Sequence, residues 1–243
     1  MRKQSVAFIP ARAGSKRIPN KNVKLLAGHP LLAYAVRSAI ESKVFDEVIC
    51  MTDSQEYADI AVKYGAAVPF LRPKEQAGDN SPDIEWVRWG LKQLKNMGRT
   101  YQTFSILRPT SPFRLPETIQ RAWEKFIGDT KADSLRAVNK CKQHPGKMWI
   151  ERGNRLLPLL PFSINDVPWH SNQYTSLPLI YTQNSSLEIA WSEVVFSQNS
   201  ISGEAIIPFI SEGLEGFDIN EPDDWVLACQ YLESGVAKLP QIN

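Results

Sequence analysis

Three cysteines in 243 residues are too few and too scattered for the roles that cysteine clusters serve. Cys50, Cys141 and Cys229 are odd in number and form no CxxC pair, which argues against a disulfide framework or a cysteine-based zinc site. Long hydrophobic runs are missing too. No stretch reaches the roughly 20 apolar residues that cross a bilayer, and the short run after Gln4 is no signal-peptide core. The expectation is therefore a reduced, cytoplasmic protein with no membrane partner. Neither sign of charge dominates: 28 Lys and Arg against 26 Asp and Glu leave +2, so no broad basic face awaits a nucleic acid. His29, His144 and His170 show neither metal-ligand nor catalytic-triad spacing. Internal repeats and low-complexity tracts are absent.

What remains is an ordinary globular composition, 43% apolar and 22% charged, enough to fill one large α/β domain over residues 1–243. Strand and helix signals alternate at short intervals, which predicts a mostly parallel, Rossmann-like sheet with helices on both faces. The pattern predicts strands at Ser5–Pro10, Glu47–Thr52, Ala67–Leu71, Thr103–Leu107, Ser134–Val138, Leu187–Trp191 and Ala205–Ile210. It predicts helices at Leu31–Ser42, from Asp53 or Ser54 through Lys63, at Asp83–Asn96, Glu117–Phe126 and Asp223–Ser234. Of the two capping candidates for the second helix, Asp53 is expected to cap rather than to touch a ligand. Residues 143–182, rich in Pro, Trp, Asn and His with no sustained period, read as an inserted irregular arm. Such an arm covers a site, packs on a second subunit, or both. Trp86, Trp89 and Trp123 fall on helices and are expected in the core.

The most informative stretch follows the first strand. Arg12, Lys16, Arg17 and Lys21 sit among small residues, and no Asp or Glu precedes Glu41. A positive loop at the end of the first strand of an α/β sheet is where a polyphosphate binds. The loop has one glycine, Gly14, and lacks the GxxxxGK[ST] spacing, so it is no Walker A motif. Backbone N–H groups around Ala13, Gly14 and Ser15 can still cradle phosphate, with Arg12, Lys16 and Lys21 adding charge-assisted hydrogen bonds. The expected ligand is a nucleoside triphosphate, with chemistry at phosphorus.

The run Ile9-Pro-Ala-Arg-Ala-Gly-Ser-Lys-Arg-Ile-Pro-Asn-Lys-Asn22 resembles the signature of the acylneuraminate cytidylyltransferases, the CMP-sialic acid synthetase family. Met51-Thr-Asp53, Leu71-Arg-Pro-Lys-Glu75, Leu107-Arg-Pro-Thr-Ser-Pro-Phe-Arg114, Gln183-Asn-Ser-Ser-Leu187 and Phe217-Asp-Ile-Asn220 fit in the same order, over nearly the whole chain. The resemblance implies a homodimer with an exchanged arm, and transfer of CMP from CTP to a 2-keto-3-deoxy sugar acid with Mg²⁺. It further implies a nucleotide site of Ala11, Arg12, Ala13, Gly14, Ser15, Lys16, Lys21 and Asn22, with Arg72, Asp79 and Ser81 around the cytosine. Arg12, Lys21 and Asp218 would be catalytic, and Asp218 with Asn220 would hold the metal. Magnesium at phosphates uses one or two carboxylates with phosphate oxygens and water.

One departure concerns the metal: Asn220 stands where the family has a second Asp. Two more concern the acceptor. Arg108 stands where the family commonly has Gln. The stretch Asn172–Ser176 lacks the cation matched to the sugar acid's carboxylate. The acceptor set is then expected among Arg108, His144, Lys147, Gln173, Tyr181 and Asn184. Arg108 either binds the acceptor's anion or pairs with a structural acid such as Glu188. Two alternatives stand beside the sugar-acid reading: a phosphomonoester acceptor giving a CDP derivative, and an inactive nucleotide-binding protein suggested by Asn220.

Overall fold

The computed structural model describes residues 4–78 and 81–242. Along the chain come β1 (Ser5–Pro10), the short hairpin β2 (Leu25–Leu26) and β3 (His29–Pro30), α1 (Leu31–Glu41), β4 (Glu47–Met51) and α2 (Gln55–Lys63). Then follow α3 (Asp83–Asn96), β5 (Thr103–Ile106), α4 (Pro116–Gly128) and β6 (Ser134–Lys140). Two further hairpins, β7 (Trp149–Arg152) with β8 (Arg155–Pro158) and β9 (Ser163–Ile164) with β10 (Val167–Pro168), lead to β11 (Tyr181–Trp191). The chain ends with α5 (Ser192–Ser197), β12 (Ile206–Ile210) and α6 (Pro222–Glu233).

Six strands form one mixed sheet in the order β12-β6-β11-β5-β1-β4. β1 is parallel to both β4 and β5, and β11 runs antiparallel to β5. This is the Rossmann-like α/β architecture expected from the strand and helix alternation. β1 is apolar throughout because both its faces are covered, as a central parallel strand requires. Ala7 and Ile9, level with Val48 and Cys50 of β4, face α1 and α4 through Leu32, Val36, Ile119 and Phe126. Val6 and Phe8 face the other way, toward Trp86, Val87, Leu91 and Leu94 of α3. Phe8 meets Trp86 edge-on at 6.0 Å between ring centroids. A third cluster joins Ile18, Leu26, Leu31 and Phe113 to Ile219, Trp225 and Ala228. It packs α6 near the loop that follows β1.

The chain divides into two compact units, Met1–Ala137 with Asn184–Asn243, and Val138–Gln183. The segment 143–182, read as irregular from composition, lies inside the second unit. Its two hairpins and three one-turn helices are too short to give a periodic signal.

Two expectations need correction. Ala67–Leu71 is not a strand: Ala67 makes a single parallel bridge to Ile49 and the chain then leaves the sheet. Asp53 does not cap α2. Ser54 does, accepting from the N–H of Tyr57 at 3.4 Å, while Asp53 reaches across to the loop after β1. Trp86 is buried, and Trp89 and Trp123 pack partly buried against the two main clusters.

Phe8 is the largest side chain of β1 and is fully buried between α3 and Phe104. Phe8→Ala is expected to lower stability by about 3–5 kcal/mol through lost transfer energy and a residual cavity. Urea unfolding checks this, and an unchanged midpoint would contradict the packing described.

Candidate active site

The loop after β1 is sewn down by its own backbone and by carboxylates from elsewhere. The Ala11 N–H donates to Met51 O at 3.1 Å, and the Ala13 N–H to Asp53 Oδ1 at 2.8 Å. Asn22, itself buried, donates through Nδ2 to Arg12 O at 3.1 Å and closes the loop on its own start. Gly14 has φ +76°, a left-handed turn that a side chain would strain. Of the amides expected to face phosphate, that of Ala13 is therefore already engaged by a protein oxygen. The side chains of Arg12, Ser15, Lys16 and Lys21 do line a shared cavity of about 350 Å³.

That cavity gathers distant parts of the sequence. Arg72, Ser81, Asp83 and Trp86 come from the segment leading into α3, Arg108 to Thr110 from the end of β5, Ser185 from β11, and Asp218 and Asn220 from the segment before α6. Six cationic side chains, Arg12, Lys16, Arg17, Lys21, Arg72 and Arg108, surround it against two carboxylates, Asp83 and Asp218. Such an excess of positive charge around one cavity suits a polyphosphate. Asp79, expected near the cytosine, lies outside the described residues.

Each cation is held differently. Lys21 Nζ donates to Ile219 O at 2.7 Å; burial pushes its pKa down, and Asp218 partly opposes that. Arg17 reaches Glu221 in an exposed pair at 2.7 Å. Arg12 Nη1 donates to Ala77 O at 3.3 Å, bringing the first loop to the segment before α3. Arg72 is buried, donates to Gln76 O and lies over the Trp86 ring at 5.2 Å. Burial lowers its pKa to about 10. Ser81 Oγ donates to Glu75 O at 3.0 Å at the cavity's edge.

Asp218 stands in the irregular segment between the turn at residues 213–216 and α6. Its neighbour fixes it: the Ile219 N–H donates to Thr110 O at 2.8 Å, tying the segment to the loop after β5. Asn220 Nδ2 donates to Asp218 Oδ2 at 2.6 Å, while Asp218 Oδ1 is buried without a hydrogen-bond partner. A buried anionic oxygen left unpaired is costly, and a cation bound there would relieve it. The carboxylate thus fits a magnesium ligand, whereas Asn220 presents an N–H and anchors the carboxylate. Glu221 and Asp224 form the capping box of α6. Among the described residues no cluster of three His, Cys, Asp or Glu could hold a metal by itself. Protein ligands would therefore have to be completed by phosphate.

The expected acceptor residues divide between the two units. Arg108 donates through Nη2 to Asp83 Oδ2 at 2.5 Å and to Glu188 Oε1 at 3.4 Å. Asn184, in the larger unit, donates to Ser211 Oγ at 2.9 Å and accepts from the Ser186 N–H at 3.1 Å. His144, Lys147, Gln173 and Tyr181 belong to the smaller unit. His144 Nδ1 accepts from the Gly146 N–H at 2.9 Å, which leaves Nε2 to donate to Pro178 O at 3.0 Å. Lys147 Nζ donates to Asn172 O at 2.6 Å and His170 O at 3.3 Å. Both therefore brace their own unit. Gln173 precedes a one-turn helix, and Tyr181 is exposed at the start of β11.

Two residues escaped the sequence reading. Asp83 looked like an ordinary first-turn acid of α3, yet it lines the cavity and pairs with Arg108. Arg114, 1% exposed, donates to Arg108 O at 3.3 Å and to Ser186 O, pinning the loop after β5 to β11. Burial drives its pKa down to about 9. Its only signal was an arginine closing the Leu107–Arg114 motif.

Asp83 also gives a pH signature. Burial alone would raise its pKa, but Arg108 and the Trp86 N–H outweigh this and hold it below the ordinary 3.8. A depressed carboxylate stabilises the fold above its unfolded pKa, and that stability is lost as pH falls through the folded value. The urea midpoint of the wild type is expected to fall more steeply below about pH 4 than that of Asp83→Asn. Parallel acid limbs for the two proteins would contradict the pairing.

Known proteins resemble this chain in sequence and in fold. A family model described as cytidylyltransferase matches residues 6–143. CMP-N,N'-diacetyllegionaminic acid synthase of Legionella pneumophila is 36% identical over 233 residues, covering 94% of this chain and 96% of the relative. N-acylneuraminate cytidylyltransferase of Escherichia coli O18:K1:H7 is 44% identical over 228 residues. That match takes in 94% of this chain but 52% of the relative, so the chain spans about half its length. Among solved structures, CMP:2-keto-3-deoxy-manno-octonic acid synthetase complexed with CTP superposes with a TM-score of 0.68 at 12% identity. It covers 96% of this chain and 99% of that one, a likeness of fold. With a relative matched nearly end to end and the family model spanning β1 through β6, the chain belongs to the acylneuraminate cytidylyltransferase family.

Proposed function

We propose that the protein transfers CMP from CTP to the hydroxyl of a 2-keto-3-deoxy sugar acid of the sialic or legionaminic type, releasing pyrophosphate. The observation that carries this reading is one cavity holding the cations of the first loop opposite a buried carboxylate oxygen without a partner. Arg12, Ser15, Lys16 and Lys21 would grip the triphosphate, with Asn22 holding the loop closed. Arg72, fixed over Trp86, would face the cytosine beside Ser81. The acceptor oxygen attacks the α-phosphorus and a new O–P bond forms. The bond from that phosphorus to the oxygen bridging to the β-phosphate breaks, its electron pair leaving on pyrophosphate, and the hydroxyl proton passes to solvent. Positive charge around the leaving group stabilises what develops there, so most of the rate comes from positioning and electrostatics. Mg²⁺ held by Asp218 together with phosphate oxygens would neutralise further charge on the triphosphate. Asn220 keeps that carboxylate aimed by donating to its other oxygen.

Arg108 is the cation on this cavity that the family's usual glutamine does not supply. We place the acceptor's carboxylate against it, since a guanidinium matches a carboxylate's geometry. The chain is also proposed to act as a homodimer. Trp149 with Leu156, and Ile150 with Leu157, are exposed on the two faces of the β7–β8 hairpin in the single chain, apolar surface that a second copy would cover.

Pyrophosphate release, screened with the four nucleoside triphosphates against keto sugar acids and phosphomonoesters, tests the reaction. CTP with a sugar acid is the expected productive pair, and turnover of phosphomonoesters alone would overturn the acceptor assignment. Lys21→Ala and Asp218→Asn are each expected to lower kcat by about 10²–10³-fold with thermal midpoints little changed. Near-normal turnover in both would remove the proposed roles. Light scattering is expected to give the mass of two chains, and Leu156→Lys with Leu157→Lys to halve it.

A further inference from the structure

A connected line of side chains runs along the cavity, and two of its members, Asp83 and Glu188, have no part in the reaction as described. Arg72 lies over Trp86, and Trp86 Nε1 donates to Asp83 Oδ1 at 2.8 Å. Asp83 Oδ2 accepts from Arg108 Nη2, the same nitrogen that approaches Glu188 Oε1. Glu188 is buried and its second oxygen pairs with Arg136 at 2.9 Å. Both acids thus converge on one nitrogen of the Arg108 guanidinium. Its Nη1 and Nε have no hydrogen-bond partner among the described residues, and the side chain keeps 25% of its surface exposed in the cavity. The backbone of Arg108 is fixed as well, because Arg114 donates to its carbonyl.

An arginine held only by its backbone would sample many rotamers, and ordering it would weaken any anion bound there. Pinning Nη2 fixes the guanidinium plane and leaves the two N–H groups of Nη1 in a set direction, able to donate to an anionic oxygen. Glu188 is already shared with Arg136 at the longer distance to Arg108, so the closer hold comes from Asp83. Asp83 itself cannot swing, since its other oxygen is occupied by Trp86.

We propose that Asp83 is a positioning residue for acceptor specificity: it holds Arg108 with its unengaged Nη1 toward the acceptor's anionic group. This rests on the sugar-acid reading above. Asp83 acts through Arg108, and in the same contact it ties the acceptor side of the cavity to the Trp86–Arg72 pair on the nucleotide side.

Asp83→Asn is the discriminating variant. An asparagine oxygen still accepts from Trp86, but its amide N–H₂ faces the Arg108 donor and cannot hold it. Acceptor KM is expected to rise about tenfold while CTP KM stays within about twofold. In an Arg108→Gln background the same substitution should change acceptor KM by less than about twofold, because there is no guanidinium left to aim. Equal losses in both backgrounds, or a CTP KM that rises as far as the acceptor's, would overturn the role of Asp83 and leave the reaction assignment standing. A wild-type chain that releases no pyrophosphate with any sugar acid would instead overturn the underlying reading, and the role of Asp83 with it.

Discussion

Mutual repulsion among the cations at one end of the sheet is the constraint that the rest of the site answers to. Two like charges about 4 Å apart near a protein surface repel by about 4 kcal/mol, and six cationic side chains share this cavity with two carboxylates. The fold meets this by giving the cations backbone carbonyls as partners. Arg12, Lys21 and Arg72 of the cavity donate to main-chain oxygens, as does Arg114 outside its lining. Carbonyls hold these groups in place without neutralising them, so the field of the cavity stays positive and available to a polyanion. Carboxylates appear where direction matters: Asp53 on the loop backbone, Asp83 on Arg108, and Asp218 facing the cavity.

The sheet supplies the rigidity this demands. β1 is buried on both faces and leads directly into the basic loop, so the loop starts from a strand that cannot shift without disturbing two clusters. β5 delivers Arg108 and Thr110 beside it, and Thr110 in turn receives the segment that carries Asp218. Interiors packed at this density transmit displacement poorly tolerated by the site, which is why its residues hang on strand ends.

Much of this was legible in the chain itself. The apolar run Ser5–Pro10 and the helical spacing over Asp83–Asn96 mark β1 and α3 because burial imposes a period that composition shows directly. Ala67–Leu71 misled for the same reason: an apolar stretch of strand length packs against the sheet after a single bridge. Asp53 misled because a short acid before a helix looks the same whether it caps that helix or bonds a loop 40 residues earlier. Asp83 and Arg114 were invisible as site residues, since their roles come from partners 25 and 72 positions away. The basic loop stood out because its charge is local in sequence, whereas the ion pair on Arg108 exists only after folding.

The loop after β1 is closed by the far end of the chain. Arg17 pairs with Glu221, Lys21 with Ile219 O, Lys24 lies over the Trp225 ring, and Ile18 shares a cluster with Ile219. These contacts span about two hundred residues, so a nascent chain completes β1 early and must wait for its last helix before the loop can set. Capacity to bind a triphosphate therefore arises only once α6 has been made. A half-made chain carries the cations without the frame that gathers them.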